Sequence, residues 1–394
     1  MNTTLNAYSS DAAQSRFEKL LGYLQLDPDN LALLDEASDL GLSIGAYEQT
    51  RLLLEKYLAL DSLNPAARYR MAVLLFVEKK PEASIAFTQS LVDGGERHHA
   101  VLYQHAQNLI QLARYEEAES WLALVLPYAA EFVDFSRWYV RNLHYLGKVT
   151  EAIAYLQQLP TEQLSPELQG MLSLLYLDVN EQGQAGEVAE AVLKTNPRNL
   201  DALLAAGYVS LGLENAALAK TRFEDAIETN AQNGRAWLGM GLVSMLASDF
   251  VAARKHLERT IEVMPTHLGS WITLAWILII QQEIDTAEAL MERCLQLNHN
   301  FGETHGTLAV IAAIRGDWKR AQEESTIGLR LQPDSFSSLF ARSLVLASRG
   351  RNHEAQAIVN GVLENFKTPG GGNLRDMIQR HAIRYRDQPK KPNN

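Results

Sequence analysis

Small and apolar positions recur along this chain with a period of 34 residues. Ala185, Ala219, Ala253, Ala287, Ala321 and Ala355 stand 34 apart without a break. Gly207 and Gly241 keep the same 34-residue interval, as do Trp237 and Trp271, and Phe223 follows Ala219 by four. Pro197, Pro265 and Pro333 fall 12 residues after alternate alanines. A small residue at a fixed phase predicts a point where two helices nearly touch. A proline at a fixed phase predicts a recurring helix end, because its ring cannot continue a helix. Each period is therefore read as two helices and a turn. One stretch departs from ordinary amphipathic patterning: Trp271 to Ile280 reads WITLAWILII, with a single hydroxyl at Thr273. A surface helix has one apolar stripe. This one needs cover on both sides, yet falls short of the roughly 17–25 residues that span a bilayer.

The pattern resembles the tetratricopeptide repeat, a helix–turn–helix unit with the signature W-x2-L-G-x2-Y…A-x3-F…P. Clear copies begin at Leu200, Gly234 and Leu268, later ones at Gly302 and Phe336, and an earlier one at Pro166. Working back through Ala152, Ala118 and Ala83 gives starts near Val133, His99 and Asn64, with a weak copy near Leu31. In this reading the phase slips by one residue near Ala83 and again before Pro166, and the copies before Pro166 lack the glycine. Ala13, Phe17 and Leu20 read as the second helix of a half repeat.

The resemblance implies an all-α fold, a right-handed superhelical α-solenoid in which each repeat buries its faces only against its neighbours. Residues 1–30 are then a capping segment or half repeat, 31–165 an N-terminal array, 166–366 a C-terminal array, and 367–394 a Gly-rich break, capping helix and basic tail. Pro160 and Pro166 bracket a polar loop, TEQLS, read either as a hinge or as an ordinary connection. TPGGGN at Thr368–Asn373 is a break. Leu374 to Tyr385 has amphipathic character through Leu374, Met377, Ile378 and Ile383, and the closing DQPKKPNN is expected to be disordered.

The resemblance also implies a concave face lined by positions 2, 5, 9 and 12 of each first helix. In the N-terminal half these include Asp35, Asp39, Arg68, Tyr103, Gln107, Arg137, Arg141, His144 and Tyr145, a polar set with an aromatic–arginine cluster. In the C-terminal half they are almost wholly apolar. Leu204 and Tyr208 come first, then Leu238, Leu242 and Met245, then Ile272, Trp276 and Ile279, and last Val310, Phe340 and Leu344. An uncovered stripe of that length exceeds the few hundred Å² that a monomer tolerates. The expectation is an occupant: a partner segment, the chain's own tail or a second copy. The alternative is that these residues pack against each other across a narrow groove. The family's carboxylate clamp needs lysine and asparagine, which are absent from these positions.

Composition narrows the function. Of 394 residues, 47% are apolar and 21% charged, which is the composition of a folded chain. The net charge is −11, and from Lys367 onward seven basic residues face two acidic ones, leaving −16 on the rest. An acidic body argues against nucleic acid, whose phosphates need clustered Lys and Arg. The basic end is read as solubilising, with contact to RNA, anionic lipid or an acidic partner as the alternative. The lone Cys294 permits no internal disulfide and is read as a buried structural thiol. The first residues, MNTTLNAYSS, lack the basic and apolar regions of a signal peptide, and no membrane span is found, so a cytoplasmic location is expected.

No phosphate-binding loop, H-E-x-x-H or C-x-x-C occurs, and no catalytic, cofactor or metal residue is assigned. His98, His99 and His105 cluster, but no carboxylate or thiol joins them at ligand spacing and His105 falls at a packing position. The expected function is a non-enzymatic scaffold for protein–protein contacts, as an adaptor, an assembly factor or a secretion-type chaperone. It would hold an apolar or amphipathic segment of a partner. Alternatives are a regulator that changes shape on binding, and a homo-oligomer formed through the groove.

Overall fold

The computed structural model describes residues 10–365 and Arg375, and among the described residues every regular element is a helix. The proposed capping segment from Leu374 to Tyr385 and the tail lie outside the described residues, apart from Arg375. By internal contacts the chain divides into two compact units, Met1–Leu159 and Pro160–Asn394. The division falls at Pro160, where sequence had placed the start of the second array at Pro166.

The first unit holds α1 (Ser10–Leu26), α2 (Leu31–Ser43), α3 (Tyr47–Leu60), α4 (Pro65–Val77) and α5 (Pro81–Asp93). It continues with α6 (His99–Gln111), α7 (Tyr115–Val125), α8 (Phe135–Tyr145) and α9 (Val149–Gln158). The second unit holds α10 (Pro166–Asp178), α11 (Gln182–Thr195), α12 (Leu200–Gly212), α13 (Ala216–Thr229), α14 (Gly234–Leu246) and α15 (Phe250–Val263). There follow α16 (Leu268–Ile280), α17 (Ile284–Leu297), α18 (Gly302–Ile314), α19 (Trp318–Leu331), α20 (Phe336–Ser348) and α21 (Asn352–Asn365).

Local chemistry explains where these helices begin and end. Asn30, Asn64, Asn199 and Asn233 cap first helices by accepting backbone N–H groups of the first turn, and Ser165 and Ser335 do the same. Pro65, Pro81 and Pro166 occupy the first turn, where a missing N–H costs nothing. Between the two helices of every repeat one residue turns left-handed. These are Gly45, Lys79, Ala113, Gly147, Asn180, Glu214, Ser248, Gln282, Gly316 and Gly350. The N–H of the next residue then reaches back to the ending helix, as in Arg114 to Leu109 and Glu283 to Leu278, both 2.9 Å. Six of the ten carry a Cβ at this conformation, at a cost of roughly 1–2 kcal/mol each. The turn recurs wherever two paired helices demand it, whatever residue is there.

Packing follows the small positions. Ala118, Ala152, Ala185, Ala219, Ala253, Ala287 and Ala321 on the second helices are fully buried. Facing positions on first helices are Ala72, Ala106, Val140, Ser173, Gly207, Gly241, Ala275 and Ala309, so serine, alanine or valine fills the glycine position earlier in the chain. One sequence expectation is corrected here. Ala83 is exposed, and the buried small residues are Ser84 and Thr50, in strict 34-residue phase with Ala118. Their hydroxyls donate to backbone carbonyls, Ser84 to Ala72 at 2.6 Å and Thr50 to Ala46 at 2.8 Å, so each packs as a small residue. No slip occurs at Ala83. Arg68 accordingly leaves the concave position to Tyr69, and its guanidinium donates to the Ser62 carbonyl and to Ser90. The repeat expected near Val133 starts its helix at Phe135, after a 3-10 turn over Leu126–Glu131 that contains Pro127.

Two glycines make room for one ring. Phe223 on α13 is fully buried; a Cβ at Gly207 would lie 2.7 Å from the ring and one at Gly239 2.4 Å. At the chain's start, Phe17 of α1 packs beside Gly41 of α2, where a Cβ would be 2.9 Å from the ring.

Candidate partner-binding cleft

Helix α16 is the apolar stretch singled out in the sequence. Trp271, Leu274, Ala275 and Leu278 are buried in one core cluster with Ala253, Met291 and Cys294. Trp271 Nε1 donates to the Pro265 carbonyl at 2.9 Å, so its one polar atom is satisfied inside. Ile272 and Ile279, expected to face the groove, are also buried in this cluster, as are Val310 on α18 and, in the neighbouring cluster, Leu204 on α12. Ile279, Val310 and Leu204 are corrected to core positions, whereas Ile272, though largely buried, also lines the cleft described below. Successive first helices approach closely enough to cover them, as the α16–α18 and α18–α20 contacts show.

Trp276 differs. It is half-buried, and its indole Nε1 donates to Ser337 Oγ at 3.2 Å, 61 residues on and two repeats away. Thr307 on α18 donates to the same Ser337 oxygen at 3.2 Å, and the Ser337 N–H donates to Glu303 Oε2 at 3.1 Å. The Trp276 ring centroid lies 5.7 Å from Phe336, edge-on, and 5.8 Å from Phe340, tilted. Three helices, α16, α18 and α20, are thus linked around one indole.

Beside it opens a cleft of about 1020 Å³. Leu242 and Met245 from α14, Ile272 and Trp276 from α16, and Phe336 and Leu339 from α20 give it an apolar lining. Ile358 and Val362 from α21 close another side, and Glu303 and Asp334 supply carboxylates. Of the residues expected to bind a partner, Leu242, Met245, Ile272 and Trp276 meet here. Leu238 and Phe340 are half-buried and pack against the same core, and Leu344 packs against a smaller cluster around Val345. Phe336, Leu339, Ile358 and Val362 were missed. The last two are on a second helix, a face that inner repeats cover with the next first helix. Their signal in the sequence was the end of the 34-residue series.

Tyr208 is half-buried and turned to internal use. Its hydroxyl donates to the Arg235 carbonyl at 2.8 Å, while the Arg235 guanidinium lies 5.9 Å from the ring and pairs with Asp178 at 2.8 Å. Burial holds the Tyr208 phenol above its ordinary range.

The polar set of the first unit is likewise engaged. Tyr103 is buried, not groove-exposed, and its hydroxyl donates to Asp134 at 2.7 Å. Burial first, and then the Asp134 carboxylate, hold that phenol well above its usual range. Trp138 Nε1 donates to the other Asp134 oxygen at 3.0 Å, and exposed Arg137 pairs with it at 3.3 Å. Arg141 is exposed and His144 half-buried, stacked on Tyr145 at 6.2 Å. Asp35 and Asp39 pair with Arg70 at 2.6 and 3.2 Å. Asp134 was the residue overlooked, though it occupies position 2 of its repeat.

The histidines divide similarly. His105 Nδ1 bonds Thr88 at 2.8 Å, with burial depressing its protonation, and His99 pairs with Glu131 at 2.6 Å. Cys294 is buried against Thr304, its thiol pushed up by burial. Among the described residues no group of three or more potential ligands gathers for a metal, and no helix is long and apolar enough to cross a membrane.

Comparison with known proteins agrees with the repeat. Residues 44–123 match the family model of the anaphase-promoting complex, cyclosome, subunit 3, and residues 204–265 and 268–301 match tetratricopeptide repeat models. No curated protein matches. Among solved structures, the APC/C hetero-tetramer Cut9-Hcn1 is 13% identical over 98% of this chain and 81% of that one, with a TM-score of 0.56. YrrB, described as a TPR protein with an unusual peptide-binding site, is 20% identical over 49% of this chain and 97% of its own, at 0.37. A tetratricopeptide repeat protein from Parabacteroides merdae is 16% identical over 63% and 98%, at 0.43. At such identities the likeness speaks for fold alone. In helix order, in repeat phase and in these matches, the chain is an all-α, tetratricopeptide-repeat-like protein.

Proposed function

We propose that the chain is a non-catalytic scaffold for protein interactions that holds an amphipathic helical segment of a partner in the cleft at α14, α16, α20 and α21. The observation that carries this reading is the cleft itself: about 1020 Å³, lined by Leu242, Met245, Ile272, Phe336, Leu339, Ile358 and Val362 together with half-buried Trp276. A ten-residue helix is about 15 Å long and at least 10 Å across. A cleft of this volume takes up one side of such a helix, the helix-in-groove mode of recognition. Glu303 and Asp334 favour basic residues flanking the partner's apolar stripe. The large, rigid indole is the natural energetic centre.

The test is a peptide-library selection on the wild-type chain, repeated on Trp276→Glu. The expected outcome is enrichment of peptides with apolar residues at i, i+3, i+4 and i+7 and flanking Lys or Arg. Their affinity should drop at least tenfold on Trp276→Glu, while far-ultraviolet circular dichroism stays near wild type. Peptides that bind both chains equally, or a Trp276→Glu chain that loses its helicity, would sink the reading.

A further inference from the structure

We infer that Glu303 is the specificity-determining residue of this cleft: it takes a lysine or arginine that stands one helical turn from the partner residue seated on Trp276. This rests on the cleft being a docking site, as proposed above, and fixes the partner's register within it.

The fold holds the carboxylate in place. Glu303 stands in the first turn of α18, and Ser337 occupies the equivalent position 34 residues on, in α20. The Ser337 N–H donates to Glu303 Oε2 at 3.1 Å, while Ser337 Oγ accepts from Trp276 Nε1 and from Thr307, each at 3.2 Å. Ser337 is fully buried, so it is a fixed link between indole and carboxylate. Two hydrogen bonds and the width of one serine separate the indole nitrogen from Glu303. That is less than two turns of a ligand helix, about 11 Å, and of the order of one, about 5.4 Å. A helix that lays an apolar side chain on the indole therefore brings the residue three or four positions away, on the same face, to Glu303.

Charge says what that residue is. Glu303 is half-buried and lines the cleft with Asp334, and none of the described lining residues is basic. Among the described residues, the Ser337 N–H is the one donor to its carboxylate, and no Lys, Arg or His pairs with it. Carboxylates elsewhere in this unit have their cations: Glu288 has Arg315 and Arg320, Glu190 has Arg222, and Glu258 and Glu283 share Arg254. A partner covering the cleft strips water from Glu303 and must supply the missing cation, or leave a desolvated charge unpaired. Asp334 is exposed and keeps its water, so it attracts basic chains without fixing where their charge sits. A second copy of this chain, with a net charge of −11, is the disfavoured occupant.

The test extends the peptide selection to Glu303→Gln, Glu303→Lys and Asp334→Asn. Glutamine keeps an oxygen for the Ser337 N–H, so the helicity and melting temperature of Glu303→Gln should match wild type. Peptides enriched on the wild-type chain should carry Lys or Arg three or four positions from the apolar residue whose replacement by alanine removes the dependence on Trp276. On Glu303→Gln the apolar spacing should persist while that basic preference vanishes, and on Glu303→Lys it should turn to Asp or Glu. Asp334→Asn should leave the preference in place. A selected peptide should bind Glu303→Gln about fivefold more weakly than wild type, and exchanging its basic residue for glutamine should cost the same on the wild-type chain and nothing further on Glu303→Gln. The inference is overturned if the basic preference persists on Glu303→Gln, or if it is lost on Asp334→Asn alone. Its failure is separable from that of the docking site. Peptides that depend on Trp276 yet show no preference at this spacing leave the site standing without a role for Glu303, whereas no enrichment at all removes both. A chain that sediments as a dimer and is dispersed by Trp276→Glu would make a second copy the occupant, which also overturns the inference.

Discussion

Replacing Gly239 by alanine tests whether Phe223 is locked between two repeats. The new Cβ would lie 2.4 Å from ring atoms Cε1 and Cζ and 2.6 Å from Cε2. Ordinary carbon contacts are about 3.5–4.0 Å, so the ring would have to retreat by more than about 1 Å. Its other side is held by Gly207, where a Cβ would be only 2.7 Å from the ring, and the side chain has no solvent exposure to yield into. Overpacking of this kind costs about 1–3 kcal/mol. Alanine in a helix interior returns about 1 kcal/mol through propensity. The expected net loss is therefore about 0–2 kcal/mol. The control is Gly22→Ala on α1, where no atom lies within 4 Å of the added methyl and only the propensity gain of roughly 0.5–1 kcal/mol remains. The decisive comparison is the double variant with Phe223→Leu, which narrows the side chain and should recover at least about 1 kcal/mol relative to the sum of the single losses. Urea unfolding followed by circular dichroism at 222 nm reads all four chains. The packing account is wrong if Gly239→Ala is as stable as Gly22→Ala, or if Phe223→Leu adds its full cost on top of Gly239→Ala.

Two further outcomes follow from the packing and the histidines. Ser84→Leu should destabilise the chain by about 1–3 kcal/mol. Ala83→Leu, on the exposed side, should stay within about 0.5 kcal/mol of wild type; the reverse order in thermal melts would restore the phase slip. His105, His256 and His267 are each held below the ordinary value of 6.5, chiefly by burial. The unfolded chain then accepts protons that the folded chain refuses, so stability present at neutral pH is lost as pH falls below about 6.5. Unfolding midpoints should drop between about pH 7 and 5.5, and by less in His105→Gln; identical slopes in the two chains would contradict this.

The helix order was legible because alanine is conspicuous. Six alanines in phase announce themselves, and from α10 onward every first helix begins at the residue the pattern chose. Thr50 and Ser84 hid the same phase behind a hydroxyl, since a sequence does not say that the oxygen will fold back onto a carbonyl. The site was less legible. Whether Ile272 or Val310 is open to solvent depends on how closely the next repeat approaches, a tertiary quantity that repeat position leaves undetermined. Trp276 was legible as an inner-face residue, but its bond to Ser337 across two repeats was not. Ile358 and Val362 escaped because their helix is read as covered until the series is seen to end.

The left-handed residue that joins each helix pair also fixes a unit of length. From Asn180 to Gly350 it returns every 34 residues, whether glycine, serine, glutamine or glutamate occupies it. The single 33-residue step, between Gly147 and Asn180, spans the division at Pro160. Gain or loss of a whole repeat at one of these turns would rejoin matching surfaces on both sides. Any other insertion within a helix would rotate the small positions out of contact and leave Ala219 or Ala287 facing a side chain too large to pass. Within the second unit, the reach of the inner face is therefore adjustable in whole repeats only, and a partner's binding segment would be matched in steps of that size.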